Sequence, residues 1–438
     1  MLNAFSALVL ALLAVIYAAG PAHAHADLVR SDPTAGSIVR REPNQVTLYF
    51  SEKVTTRLGT TVRVVGPDGR ELAGTHGSSI PAGAGTADAL AVPLLQDPAQ
   101  GTFAIVWHVV AADDGHATEG VVMFSVGRPS PVSAGANAAR VADRPDRVVG
   151  VIQDAAVWLA FLSYALIVGD LTLRVVARFA GRPPPRGAIP GAPGWLILAA
   201  ATLTQYLVYG PYISGGSLRQ GFSRSLISGT LGTRTGHALG FRIVLLVLLA
   251  ISGDWLLSWI SSARSRIGPT ALTAVVAVGL AVTWSATSHA ANGSSSTVAL
   301  AATTLHVVAM GVWLGGLISL LGTLRGEPDA SLARAFSNVA LAAVALLAAT
   351  GVYQAWREIG DFDALASTGY GRLLLAKVST LAVILLVAAK SRTAARREAE
   401  SHDVRALRRS VILEAVGIAV LLLLTTVLIG TAPPHAAA

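Results

Sequence analysis

No cysteine occurs in the 438 residues. Disulfides, thiolate metal sites and cysteine nucleophiles are thereby excluded, and any metal must be held by imidazole, carboxylate, thioether or backbone groups. Charge is also scarce: 13% of residues are Asp, Glu, Lys or Arg against 53% hydrophobic, too apolar a balance for an ordinary soluble chain. Lysine stands only at 53, 377 and 390, so the formal charge of +8 is carried almost wholly by arginine. Much of that arginine sits in short connectors between apolar runs, the pattern that sets membrane topology, and this placement argues for a lipid bilayer and against nucleic acid as partner. No GxxxxGK[ST] phosphate loop is present, so ATP drive by this chain is not indicated.

What is present begins with an apolar run, LNAFSALVLALLAVIYAAG, that ends at Ala22-His23-Ala24. Small residues at the first and third of these positions fit a signal-peptidase site, so residues 1–24 read as a signal peptide that leaves His25 first. Two other readings stand beside it. The run has no Lys or Arg ahead of it, which fits an uncleaved anchor helix. Cleavage after Ala22 would instead leave His23-Ala24-His25, with Pro21 next to the cut.

Residues 25–127 change character. QVTLYFSEKV, TTVRVVGPDG, GTFAIVWHVVA and VVMFSVG are rich in Val, Thr, Ile and aromatics and are bounded by Gly, Pro and Asp, which predicts an all-β Greek-key barrel or sandwich. The loop AADDGHATEG follows the strand FAIVWHVVA, and its Asp-Gly turn lets Asp114 and His116 converge. A free His25 would add its α-amine and ring Nδ1. Two nitrogens from His25, one from His116 and an oxygen from Asp114 make an N,N,N,O set suited to tetragonal Cu(II). The plainer reading is that Asp113 and Asp114 cap a turn and His116 lies on the surface. Residues 128–147, rich in Pro, Ala, Gly and charge, read as a linker.

HADLVRSDPTAGSIVRREPNQVTLYFSEKV, then GTFAIVWHVVAADDGHATEG and FSVG, resembles the CopC copper-binding proteins. The resemblance implies a seven-stranded Greek-key β-barrel with a Cu(II) site, its ligands falling on His25, Asp114 and His116. Asp113 departs from the pattern and leaves the choice of carboxylate open. Some relatives carry a Met-rich Cu(I) site; the only methionine in residues 25–127 is Met123, so that site is absent from this domain.

From 148 to 431 about eight runs are long enough to cross a bilayer, near 148–177, 195–213, 238–259, 269–288, 298–321, 335–356, 371–390 and 411–430. This predicts an all-α polytopic bundle, with a tail at 432–438. Connectors around 174–186, 264–266, 325–334 and 390–409 carry most of the Arg and Lys, which puts them inside the cell and the β domain and both termini outside. On that map His237 starts the third span, His289 ends the fourth, and His306 lies roughly 10 Å below the outer end of the fifth. All three are on the outer side; His402 is a solvated exception. Met310 and Trp313 follow His306 at helical spacing on one face. Imidazole beside thioether suits Cu(I) or both copper states. Each of these also has an ordinary reading as a helix-end or packing residue, but an ionisable group inside a span defaults to function. Asp170 and Arg174, four apart, read as a structural ion pair.

LHVVAMGVWLGGL, TGVYQAWREIG and STGYGRLLLAKV resemble the CopD family of polytopic copper proteins. CopC followed by CopD implies a plasma-membrane protein, not an enzyme, that captures Cu(II) and moves it through or to the membrane half; the topology, and not the resemblance, suggests His237, His289, His306 and Met310 for that path. A membrane or extracytoplasmic cuproprotein is a candidate recipient. Two rivals remain: a haem-binding electron carrier, and a protein that sequesters copper without transport.

Overall fold

The computed structural model describes residues 26, 28–56, 58–76, 86–94, 100–112, 117–131, 147–182, 191–262, 267–288, 296–323, 330–359, 363–398, 417 and 420–428. The chain divides into two compact units, 23–153 with 204–240, and 1–22 with 154–203 and 241–438.

Among the described residues of the first unit eight strands form two sheets. They are β1 (Leu28–Asp32), β2 (Ile38–Val39), β3 (Gln45–Thr55), β4 (Thr61–Val65), β5 (Glu71–His76), β6 (Thr86–Pro93), β7 (Gly101–Val110) and β8 (Ala117–Val126). One sheet has the order β1-β3-β6 and the other β2-β8-β7-β4-β5. The seven strands implied by family resemblance become eight because the two-residue β2 pairs parallel to β8. Val46, Leu48 and Leu90 from one sheet meet Val62, Phe103, Ile105 and Phe124 from the other in a single apolar core, the arrangement of a β-sandwich.

Strand β7 is buried along nearly its whole length. Its odd residues, Phe103 to Val109, enter the sandwich core. Its even face is covered too: Val106 packs on Val65, and Val110 joins Leu58, Tyr209 and Ile213. That second covering explains why GTFAIVWHVV reads as an unbroken apolar run instead of an alternating one.

The remaining elements are helical: α1 (Arg147–Phe179), α2 (Gly191–Ile213), a 3-10 turn (Leu218–Phe222), α3 (Arg224–Leu231), α4 (Arg234–Ser262), α5 (Ile267–Ser285), α6 (Ser296–Met310), a π-helical turn (Gly311–Gly315), α7 (Gly316–Thr323), α8 (Ala330–Ile359), α9 (Asp363–Ser367) and α10 (Gly369–Glu398). Residues 420–428 are helical as well. Among the described residues six helices are long and apolar enough to cross a membrane, and α5 contributes a shorter apolar segment, Thr270–Ser285. Half of the eighth expected run, 411–430, lies outside the described residues. Large apolar side chains point outward, Ile251 at 80% exposure among them, as a lipid-facing surface requires. The chain is a multi-pass membrane protein.

The core of the second unit is built on close approach. Gly315 and Gly169 meet so tightly that a Cβ on either would overlap the other helix's backbone. Small residues at such a crossing are how membrane helices gain contact without a hydrophobic driving force. The expected Asp170–Arg174 pair is present, with Arg174 Nε donating to Asp170 Oδ2 at 2.7 Å.

Candidate metal centres

Of the candidate ligands, His237, His306 and Met310 lie within the described residues; His25, Asp114, His116 and His289 fall outside them, as do Asp113 and His402. Among the described residues no three His, Cys, Asp or Glu side chains gather as a metal cluster.

The residues flanking the β-domain candidates are firmly held. Ala26 is fully buried in the sandwich core, and its carbonyl accepts a hydrogen bond from Thr118 Oγ1 at 2.9 Å. Thr118 is the second residue of β8, and Ala117 before it pairs with Val110 of β7. On the other arm, the Ala112 amide donates to the Lys53 carbonyl at 2.8 Å and Ala111 bridges Val54. Residues 113–116 therefore join two strand ends fixed four residues apart in chain, and residue 25 precedes an alanine tied to the same hairpin.

That end of β7 also carries the apolar seam to the helix. Gly59, at φ +77°, approaches α2 so closely that a Cβ there would stand 2.6 Å from the Ile213 carbonyl oxygen. His108 is spoken for: its Nδ1 donates to the Gly59 carbonyl at 2.6 Å.

In the helical unit His306 sits on α6, half-buried. Its Nδ1 is 2.8 Å from Thr350 Oγ1 on α8. The Thr350 hydroxyl donates to the Leu346 carbonyl at 2.6 Å. A hydroxyl has one hydrogen, so Thr350 must accept from His306, and Nδ1 carries the proton. Nε2 is then left with its lone pair, the state in which imidazole can bind a metal. Met310 lies one helical turn along from His306, also half-buried.

Two expectations change here. Helix α6 starts at Ser296, so His306 lies about 15 Å along its axis and not about 10 Å. The π turn directly after Met310 widens the helix, so the seven-residue spacing from His306 to Trp313 no longer implies one face; Trp313 is buried in the bundle core. His237 lies exposed in the first turn of α4, its amide donating to the Thr233 carbonyl at 3.0 Å.

Sequence reasoning passed over Thr350, although it opens the stretch TGVYQAWREIG. It also passed over Arg242, a charge inside the third span, which was a readable signal.

A CopC domain model matches residues 28–127, and a model described as copper resistance protein D matches 330–428. The second match begins beyond the segment holding His306 and Met310. Copper transport protein CutJ of Bacillus subtilis (strain 168) is 27% identical over 428 residues, covering 94% of this chain and 75% of that protein. Protein YobA of Escherichia coli (strain K12) is 36% identical over 105 residues, covering 24% of this chain and 79% of that one. Among solved structures, CopC from Methylosinus trichosporium OB3b is 23% identical and covers 25% of this chain and 99% of that one, with a TM-score of 0.21.

Proposed function

The chain belongs to the CopC family through residues 28–127 and carries a copper resistance protein D region at 330–428, and from that premise we propose that it captures Cu(II) outside the cell and passes it to its own membrane half. The ligands of capture are His25, through amine and ring, with His116 and Asp114.

The observation that carries this reading is the hydrogen bond from Thr118 to the Ala26 carbonyl. Residue 25 is one Cα step, about 3.8 Å, from Ala26, and residue 116 is two steps from Thr118. Two segments 92 residues apart in sequence are thus tied beside the proposed ligands, which supports this reading. Signal-peptide removal after Ala24 would create the amine that completes the set, and the α-amine, with an ordinary pKa near 8, gives up its proton readily to Cu(II) at neutral pH.

Delivery runs through imidazole and thioether. His237 and His289 receive copper from outside, and His306 Nε2 with Met310 holds it within the span. The seam of Leu58 and Val110 against Tyr209 and Ile213 supports this route, because it fixes the strand leading into the capture loop against the outer end of a membrane helix. The relative named a copper transport protein aligns along nearly the whole chain, which supports movement of copper over sequestration alone.

N-terminal sequencing of the mature protein together with Cu(II) titration tests capture. Residue 25 comes first, one Cu(II) binds per chain, and His116→Ala removes that binding; a mature chain starting elsewhere sinks the chelate. Cellular copper rises when the protein is present, and sequestration without transport leaves it unchanged. A Soret band in the purified protein would favour haem instead.

A further inference from the structure

Arg242 lies nine positions into α4, inside the candidate span Arg234–Ile251, and is 2% exposed. Its Nε donates to Thr283 Oγ1 at 2.8 Å, and Thr283 passes its own hydrogen to the Leu280 carbonyl at 2.6 Å. The guanidinium carbon stands 3.6 Å from the centre of the Trp284 ring. Phe161 stacks on the same indole at 5.0 Å and Tyr164 meets it edge-on at 5.2 Å. Among the described residues no carboxylate lies within ion-pair distance of Arg242, unlike Arg174, which pairs with Asp170. Two buried donors, Arg242 Nη1 and Trp284 Nε1, have no acceptor among the described residues.

A guanidinium has five N–H donors and stays charged. One hydrogen bond and one cation–π contact leave most of that capacity unused in a place where water cannot supply the rest. We propose that Arg242 and Trp284 form an anion site that takes a small monovalent anion of the halide class. Both unsatisfied groups are donors, so they call for a ligand that accepts. A single positive charge balances a single negative one, and a divalent oxyanion would leave net charge in the apolar bundle. Aromatic walls bound the space on the Trp284 side and favour a compact ion. The same positive charge repels cupric and cuprous ion, so this site is separate from the copper route.

Purified full-length protein in detergent, moved from sodium gluconate into sodium bromide at constant ionic strength, tests this. The thermal midpoint rises with bromide and saturates, as for any ligand that binds only the folded state. In Arg242→Met the apparent Kd weakens by at least about tenfold, the loss expected when a buried charged partner is removed. An equal midpoint in both salts for the unaltered protein overturns the proposal, as does an unchanged bromide response in Arg242→Met. Should that variant fail to fold, anomalous diffraction from bromide-grown crystals of the unaltered protein decides. A bromide peak beside Arg242 Nη1 supports the site, and its absence there refutes it.

Discussion

At position 350 the one hydroxyl hydrogen goes to the Leu346 carbonyl, and the oxygen is left to accept from His306. This bond orients the ring and sets its tautomer, the role that outer partners of metal-binding histidines commonly play. Thr350→Val keeps the shape and removes the acceptor, leaving Nδ1–H unpartnered within the span. If the proposed membrane site holds copper, its affinity then falls about 10–100-fold, read by titration of full-length protein carrying His116→Ala to remove the proposed β-domain site. Thr350→Ser restores it; a valine variant that binds as tightly as threonine removes Thr350 from the site. His306 was legible in the sequence because an imidazole inside a span stands out. Thr350 was not, since a helical threonine ordinarily bonds its own i−4 carbonyl, and nothing in the sequence says that a second helix also uses it.

Among elements, the π turn Gly311–Gly315 does what no regular helix of that length would do. It inserts extra width between Met310 and α7 and brings Gly315 onto the backbone of α1 at Ala165. Gly315→Leu has no room there, so helix α1 and the turn must separate. The expected destabilisation is about 1–3 kcal/mol, the usual range for overpacking, measured as a lowered thermal midpoint in detergent; an unshifted midpoint would mean the crossing is looser than described. GVWLGG carries the small-residue spacing of a close helix contact, so the crossing could be read from sequence. The π geometry could not, because periodicity arguments assume 3.6 residues per turn. In the β half the long strands β3, β7 and β8 follow their composition closely. The two-residue β2 is too short to make a pattern, and its partner is 87 residues away. The capture residues were legible only jointly, as a start motif and a loop motif. What ties the residues beside them is the Thr118–Ala26 bond, which no spacing encodes.

For the whole molecule the decisive element is α5. Its apolar portion is shorter than those of the six long helices, yet its 19 residues, Ile267–Ser285, extend about 28 Å at 1.5 Å per residue, close to a ~30 Å core. If it crosses, segments 286–295 and 399–410 face opposite sides, and His306 is reached from the same side as the β domain. If it does not, the order of sides reverses from residue 286 onward, and the arginines at 392, 396 and 397 would lie outside, against the bias that orients membrane helices. The absence of cysteine makes the choice directly measurable, since any introduced thiol is unique. Ser133→Cys, Ser294→Cys and Ala437→Cys should react with an impermeant maleimide on intact cells, and Ser401→Cys only after permeabilisation. Labelling of Ser401→Cys but not Ser294→Cys from outside would invert α6 through α10 and end the delivery route from the β domain to His306.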